Sequence, residues 1–274
     1  MKLKMNFTRK DVVVTLACLT FLLGALGAVG ATGRRRAKEA LCLSNLRQWG
    51  QIWLAYAEDN DGYFMTGWTT PPPPGPLHKH LWMEALRPYY VNPDLRCCPE
   101  ASIPGTELGR SQYGGAGTFT AWGMFSGECG EPSSWSWVVG CDYGSYGANS
   151  WVHNTDMFGS GNLNWKTPNV DGAENIPMFG GHQWFGAWPD KHSEPPNFDG
   201  EHWAGASQMG RVCMNRHSGF VNWAFLDGSA RKVGLKELWT LKWHREYDTC
   251  GRWTMCGGVE PNDWPDWMQD FEDY

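Results

Sequence analysis

His217 and Asp227 are the residues of this 274-residue chain that most directly invite a chemical reading. A histidine titrates near neutral pH and a carboxylate can orient it, so the two could act as an acid–base pair. Their surroundings favour a structural role. Asp227-Gly228 is what a tight hairpin turn demands, and His217 stands where it can hydrogen-bond across the strands that such a turn joins. No Ser or Cys nucleophile occupies an elbow motif, so the expectation is a protein that is not an enzyme and has no catalytic residue.

Metal chemistry has similarly thin support. Asp59-Asn60-Asp61-Gly62 looks like the middle of a calcium loop, but with Gly62 at the sixth position the first and twelfth fall on Ala57 and Trp68, which offer no side-chain oxygen. A helix stop with solvated acids fits better. The acids Glu260, Asp263, Asp266, Asp270, Glu272 and Asp273 could converge on calcium, although scattered acids at a chain end read more simply as a solvated tail. His78, His80, Cys97 and Cys98 are possible zinc ligands whose spacing matches no standard finger. The expectation is therefore no metal and no cofactor.

Of nine cysteines, only Cys18 lies inside the apolar N-terminal run. The other eight, Cys42, Cys97, Cys98, Cys129, Cys141, Cys213, Cys250 and Cys256, form an even set with no repeated CxxC, which suggests an oxidising compartment. Cys250 with Cys256, and Cys129 with Cys141, could each close a local loop; a thiol buried as a small hydrophobe is the alternative in each case. The indole pairs Trp135/Trp137, Trp184/Trp188 and Trp264/Trp267 could stack on sugar rings or on a partner protein. With 18 Trp in a chain rich in Gly and Pro, most of them are needed for packing.

The elements that would position these residues follow from pattern and charge. Eight Lys/Arg and one acid lie at or before Lys38, leaving 15 bases against 28 acids beyond it, so the later domain should repel nucleic acid. Residues 12–32 carry no charge and approach the ~20 apolar residues of a membrane span. The same pattern also fits a cleaved signal peptide, with small residues at Ala28, Gly30 and Ala31. Cys42, Leu46, Trp49, Trp53 and Tyr56 recur at helical spacing, and Gly62 can end that helix in the left-handed conformation. Residues 71–76 form a polyproline spacer, and a short helix is expected over His80–Leu86. Residues 101–212 read as a long insertion with short strands. Residues 220–226 and 229–233 form strands joined at Asp227-Gly228, and residues 235–243 a short helix.

These residues carry a resemblance. The stretch from Phe7 to Phe64, with Cys42-Leu43-Ser44-Asn45-Leu46-Arg47-Gln48, is similar to the start of bacterial type IV pilin-like and type II secretion pseudopilin-like proteins. His217, nine intervening residues and Asp227-Gly228 resemble the C-terminal signature of one subgroup; Tyr146–Trp151 and Ile176–Phe179 are weaker matches. Where such proteins have Gly before the leading Phe and Glu four residues after it, this chain has Asn6 and Asp11. The resemblance implies processing between Asn6 and Phe7, an assembly role for Asp11, and a disulfide between Cys42 and Cys98.

The expected fold is α+β and pilin-like: a long N-terminal helix, transmembrane in its first half, packed on an antiparallel sheet with a large Gly/Trp-rich insertion. Its expected divisions are a leader-like segment 1–11, a transmembrane helix 12–32, a stem helix 33–62, an extracytoplasmic domain 63–258 and an acidic tail 259–274. The implied function is a non-enzymatic, membrane-anchored subunit of a type II secretion or type IV pilus-like assembly in the inner membrane, its domain periplasmic or cell-surface. Its partners would be the membrane and other such subunits, with no nucleic acid. The alternative is a tethered module that binds surface polysaccharide or protein.

Overall fold

A computed structural model describes residues 9–68, 77–104, 113–114, 116–124, 142–155, 162–201 and 207–274. The chain divides into two units, Met1–Ala40 and Leu41–Tyr274, with the boundary inside one helix, α1 (Arg9–Asp59).

In the first unit, the described apolar side chains of α1 are exposed, among them Val12, Leu16, Leu19 and Phe21. No helix among the described residues is long and apolar enough to cross a membrane. The uncharged stretch with described side chains, residues 12–21, is about half of the ~20 residues a span needs, and the charges of Arg34, Arg35, Arg36 and Lys38 lie further along the same helix. The pilin-like fold class with a transmembrane first half is overturned on this ground. So is the single-pass inner-membrane placement with a periplasmic or cell-surface domain.

In the second unit, α1 turns Cys42, Leu46, Trp49, Trp53 and Ala57 into the core, while Tyr56 is half-buried at its margin. The 3.6-residue period puts these positions on one stripe. The helix ends where expected: Gly62 adopts φ 82° and its N–H bonds to Ala57 O at 2.8 Å. Beyond it lie a 3-10 turn at Leu77–His80 and a one-turn helix α2 (Trp82–Ala85), in place of a single helix over His80–Leu86.

The remainder of this unit contains two sheets. A small antiparallel sheet joins β1 (Tyr113–Gly114), β2 (Trp122–Met124) and β3 (Tyr143–Gly144) in that order. The main sheet comprises β4 (Tyr146–Asn149), β5 (Pro177–Gly181), β6 (Gly186–Ala187), β7 (Phe220–Phe225) and β8 (Ala230–Gly234), ordered β6-β4-β5-β7-β8. It is mixed rather than antiparallel, because β6 pairs with β4 in parallel. β5 and β6 run antiparallel to each other but are not paired, because β6 lies on the side of β4 away from β5.

The β7–β8 hairpin also departs from the sequence reading. The connection is a three-residue loop, Leu226-Asp227-Gly228, closed by Phe225 N–H to Ser229 O at 2.9 Å and Gly228 N–H to Phe225 O at 2.9 Å. Gly228 takes φ 81°, the left-handed residue that such loops require. Its close neighbour is Gly50 of α1: a Cβ at Gly50 would stand 2.8 Å from Gly228 O. Exposed Gly→Ala changes inside helices stabilise by about 1 kcal/mol. Gly50→Ala should do the opposite and cost about 1–3 kcal/mol, because a backbone carbonyl cannot rotate away as a flexible side chain would. Thermal denaturation of the variant tests the sign.

The insertion is held together by indoles. Trp82 Nε1 donates to Phe185 O (2.7 Å), Trp122 to Tyr146 O (2.9 Å), Trp151 to Pro189 O (2.8 Å), Trp165 to Trp243 O (3.0 Å) and Trp239 to Ser193 O (2.9 Å). Carbonyls, most of them in loops, thus find buried donors. The acidic end is folded as well, not a solvated tail. Trp264 and Met268 are buried, Glu260 and Asp263 cap a 3-10 turn reciprocally, and Asp273 pairs at 2.8 Å with Lys236, whose side chain is buried.

Candidate functional site

The structure brings together three residues far apart in the chain. Cys42 lies on the buried face of α1, Cys98 comes just after the 3-10 turn Pro93–Arg96, and His217 stands three residues before β7. Cys42 Sγ, Cys98 Sγ and a ring nitrogen of His217 lie within 4.8 Å of one another, and all three residues are buried. His217 Nε2 is 3.4 Å from Cys98 Sγ. The local chain explains the convergence: His217 N–H bonds to Phe220 O at 3.1 Å, and Ser218 and Gly219, both at positive φ, turn the chain back into β7. Cys98 is fixed by its N–H on Ser145 Oγ at 2.7 Å, next to β4.

Three further groups complete the cluster. Tyr146 Oη donates to Cys42 Sγ at 3.1 Å. Asn222 of β7 is buried beside Cys42, and its amide acts against the rise of that thiol. Arg216 is 3% exposed; its Nε donates to Thr118 O (2.8 Å) and its Nη1 to Ser145 O (2.7 Å), while Nη2 is unpartnered among the described residues. Among the described residues no carboxylate pairs with Arg216, so it places a buried positive charge beside the sulfurs.

These neighbours set the two thiols apart. Burial alone would raise Cys98, but hydrogen bonds from Cys42 and His217 and the Arg216 charge outweigh it and hold that thiol well below its ordinary value. Burial, reinforced by the adjacent Cys98, raises Cys42 well above. Neighbouring Cys97 stands outside this cluster and is pushed up to about 12, chiefly by burial. Cys42 and Cys98 are both free here, so the bridge that the resemblance implied is not formed; the sulfurs are side by side with polar partners satisfying them instead.

The other sequence candidates resolve differently. Cys250 and Cys256 form a disulfide across a local loop, with Cα atoms 5.3 Å apart. Cys129 and Cys141, like Asn6, Phe7 and the side chain of Asp11, fall outside the described residues. Asp227 does not meet His217, because the six residues of β7 stand between them. Its Oδ1 accepts from Ser229 N–H at 2.9 Å, a local turn bond. The carboxylates of the C-terminal segment join no candidate metal cluster among the described residues. Trp184 and Trp264 are buried and Trp188 and Trp267 half-buried, while Trp135/Trp137 lie outside the described residues.

Arg216, Tyr146 and Asn222 did not emerge as site residues from the sequence. Arg216 adjoins His217 and Tyr146 opens one of the weaker family-like stretches, but nothing in their spacing indicates that β4 and β7 carry them to one point. No protein-family model matches this chain, and neither a curated protein nor a solved structure is similar to it.

Proposed function

We propose that the chain is a non-enzymatic subunit of a multi-subunit assembly, the role implied by the resemblance of residues 7–64 and of His217 to Gly228, and that subunits join through the apolar side chains of residues 12–21. The observation that supports this reading is their exposure: Leu16 is 57% and Leu19 50% exposed, and Val12, Leu16 and Leu19 succeed one another at helical steps of four and three. A contiguous apolar helix face left in water marks an interaction surface. The folded unit of residues 41–274 would be the part that each subunit displays. Its acidic excess disfavours nucleic acid as a partner.

The test is the association state of the full chain. Sedimentation should find concentration-dependent oligomers, and the double change Leu16→Asp/Leu19→Asp should shift them to monomer. Losing two buried leucines at each contact is expected to weaken association roughly 100- to 1,000-fold. A wild-type chain that stays monomeric at high concentration, or a double variant that assembles equally well, would refute the proposal.

A further inference from the structure

The geometry points to a buried metal site in which Cys42, Cys98 and His217 bind a soft monovalent ion, Cu(I), with Arg216 as its counter-charge. Two sulfurs and one imidazole nitrogen are a donor set for soft metals. Ligand atoms sharing one ion at bond lengths of about 2.0–2.3 Å stand roughly 3.5–4 Å apart. The observed 3.4 Å between Cys98 Sγ and His217 Nε2, and the 4.8 Å limit on the whole group, need shifts of less than about an ångström to reach that spacing. Each donor belongs to a packed element, and Tyr146 Oη is already placed to donate to Cys42 sulfur.

Charge selects the ion. Two thiolates, a neutral imidazole and Cu(I) carry a net single negative charge, which the buried guanidinium of Arg216 cancels. Zn(II) in the same place would leave a net positive charge in a region where no carboxylate pairs with Arg216 among the described residues, and burying an unpaired charge is costly. Zn(II) also prefers a fourth ligand, for which the group offers, among the described residues, the weakly donating amide of Asn222 and the phenol of Tyr146. On binding, each sulfur gives a lone pair to the metal and any thiol proton it still carries leaves to solvent; no electron is transferred.

The experiment uses the full chain, reduced and free of oxygen, with Cu(I) alone in competition with a coloured Cu(I) chelator and Zn(II) alone against a zinc chelator. One Cu(I) per chain should resist the chelator, and X-ray absorption should find two sulfurs and one nitrogen around it. Cys42→Ser and Cys98→Ser should each weaken binding by roughly 100-fold or more, and His217→Gln by at least ~10-fold, with near-ultraviolet circular dichroism confirming that each variant folds. A chain with Cys18, Cys97 and Cys213 changed to Ala should bind as before. The proposal fails if the wild-type chain surrenders all its Cu(I), if the absorption spectrum shows no nitrogen, or if Zn(II) binds more tightly than Cu(I). It also fails if peptide mapping of protein never exposed to reductant finds Cys42 bridged to Cys98. The wild-type spectrum decides the matter even where a variant does not fold.

Discussion

Trp49→Ala should cost the protein about 3–5 kcal/mol, enough to leave much of the population unfolded at ordinary temperature. The indole is fully buried on α1 and meets Trp82 edge-on with ring centres 5.4 Å apart, Tyr90 at 4.9 Å and Phe179 of β5 at 4.8 Å. Its Nε1 also donates to Leu95 O at 2.7 Å. Truncation would open a cavity between helix, sheet and loop at once and would strand a carbonyl. Trp49→Phe should recover most of the packing but not the hydrogen bond, a residual loss of about 1 kcal/mol. Chemical denaturation of both variants separates these contributions. A Trp49→Ala midpoint within experimental error of the wild type would mean that α1 is not built into the core through this indole.

The second large effect is electrostatic. Asp142 is 4% exposed and pairs with Arg96, itself 3% exposed, as well as with the half-exposed Arg87 at 2.8 Å. Asp142→Ala leaves the Arg96 guanidinium in the interior with, among the described residues, the Pro93 carbonyl at 3.3 Å and the Tyr143 ring face at 5.5 Å. Breaking a buried pair from one side costs about 3–5 kcal/mol, because an uncompensated charge remains. Removing both partners in Arg96→Met/Asp142→Leu should return a large part of that loss, since two apolar side chains replace an ion pair at little net cost. A double variant no more stable than Asp142→Ala would show that Asp142 acts through something other than Arg96.

The parts of the fold that could be read from the sequence are those whose signal is periodic or local. The stripe Cys42–Leu46–Trp49–Trp53 has helical spacing, and the helix stop at Gly62 and the strands around Asp227-Gly228 are announced by residues with few conformational alternatives. The Cys250–Cys256 loop was legible for the same reason, six residues being short enough to close locally. Residues 101–212 were not, because strands of two to five residues are too short to display a period. What organises that region is a set of indole N–H bonds to carbonyls up to about a hundred positions away, as from Trp82 to Phe185, and such pairings leave no trace in local spacing. The parallel β4–β6 pair was hidden likewise.

The candidate site was legible only as fragments. Cys42, Cys98 and His217 each stood out, the first two as cysteines and the third within a motif, but the resemblance implied a bridge for the cysteines and the turn residues suggested a hairpin hydrogen bond for the histidine. Which residues complete the cluster depends on tertiary placement: Arg216 and Asn222 flank His217 along the chain, yet their shared environment arises only when β7 lies against α1. The membrane reading of residues 12–32 rested on the length of an uncharged apolar run and on the resemblance, and no helix among the described residues is long and apolar enough to sustain it.

The spacing of the His217–Gly228 motif has a dimensional meaning. Its first residue meets Cys42 and its last abuts Gly50 and the side chain of Leu54, so a single hairpin is fastened to the same helix at both ends. From Cys42 to Leu54 the helix advances about 18 Å, and the six residues of β7 cover a comparable ~17–20 Å. The nine-residue interval is thus a ruler cut to the helix. Lengthening it by one residue would unhook one fastening and turn Asn222 away from Cys42, whereas exchanges that keep the count leave both anchor points in place.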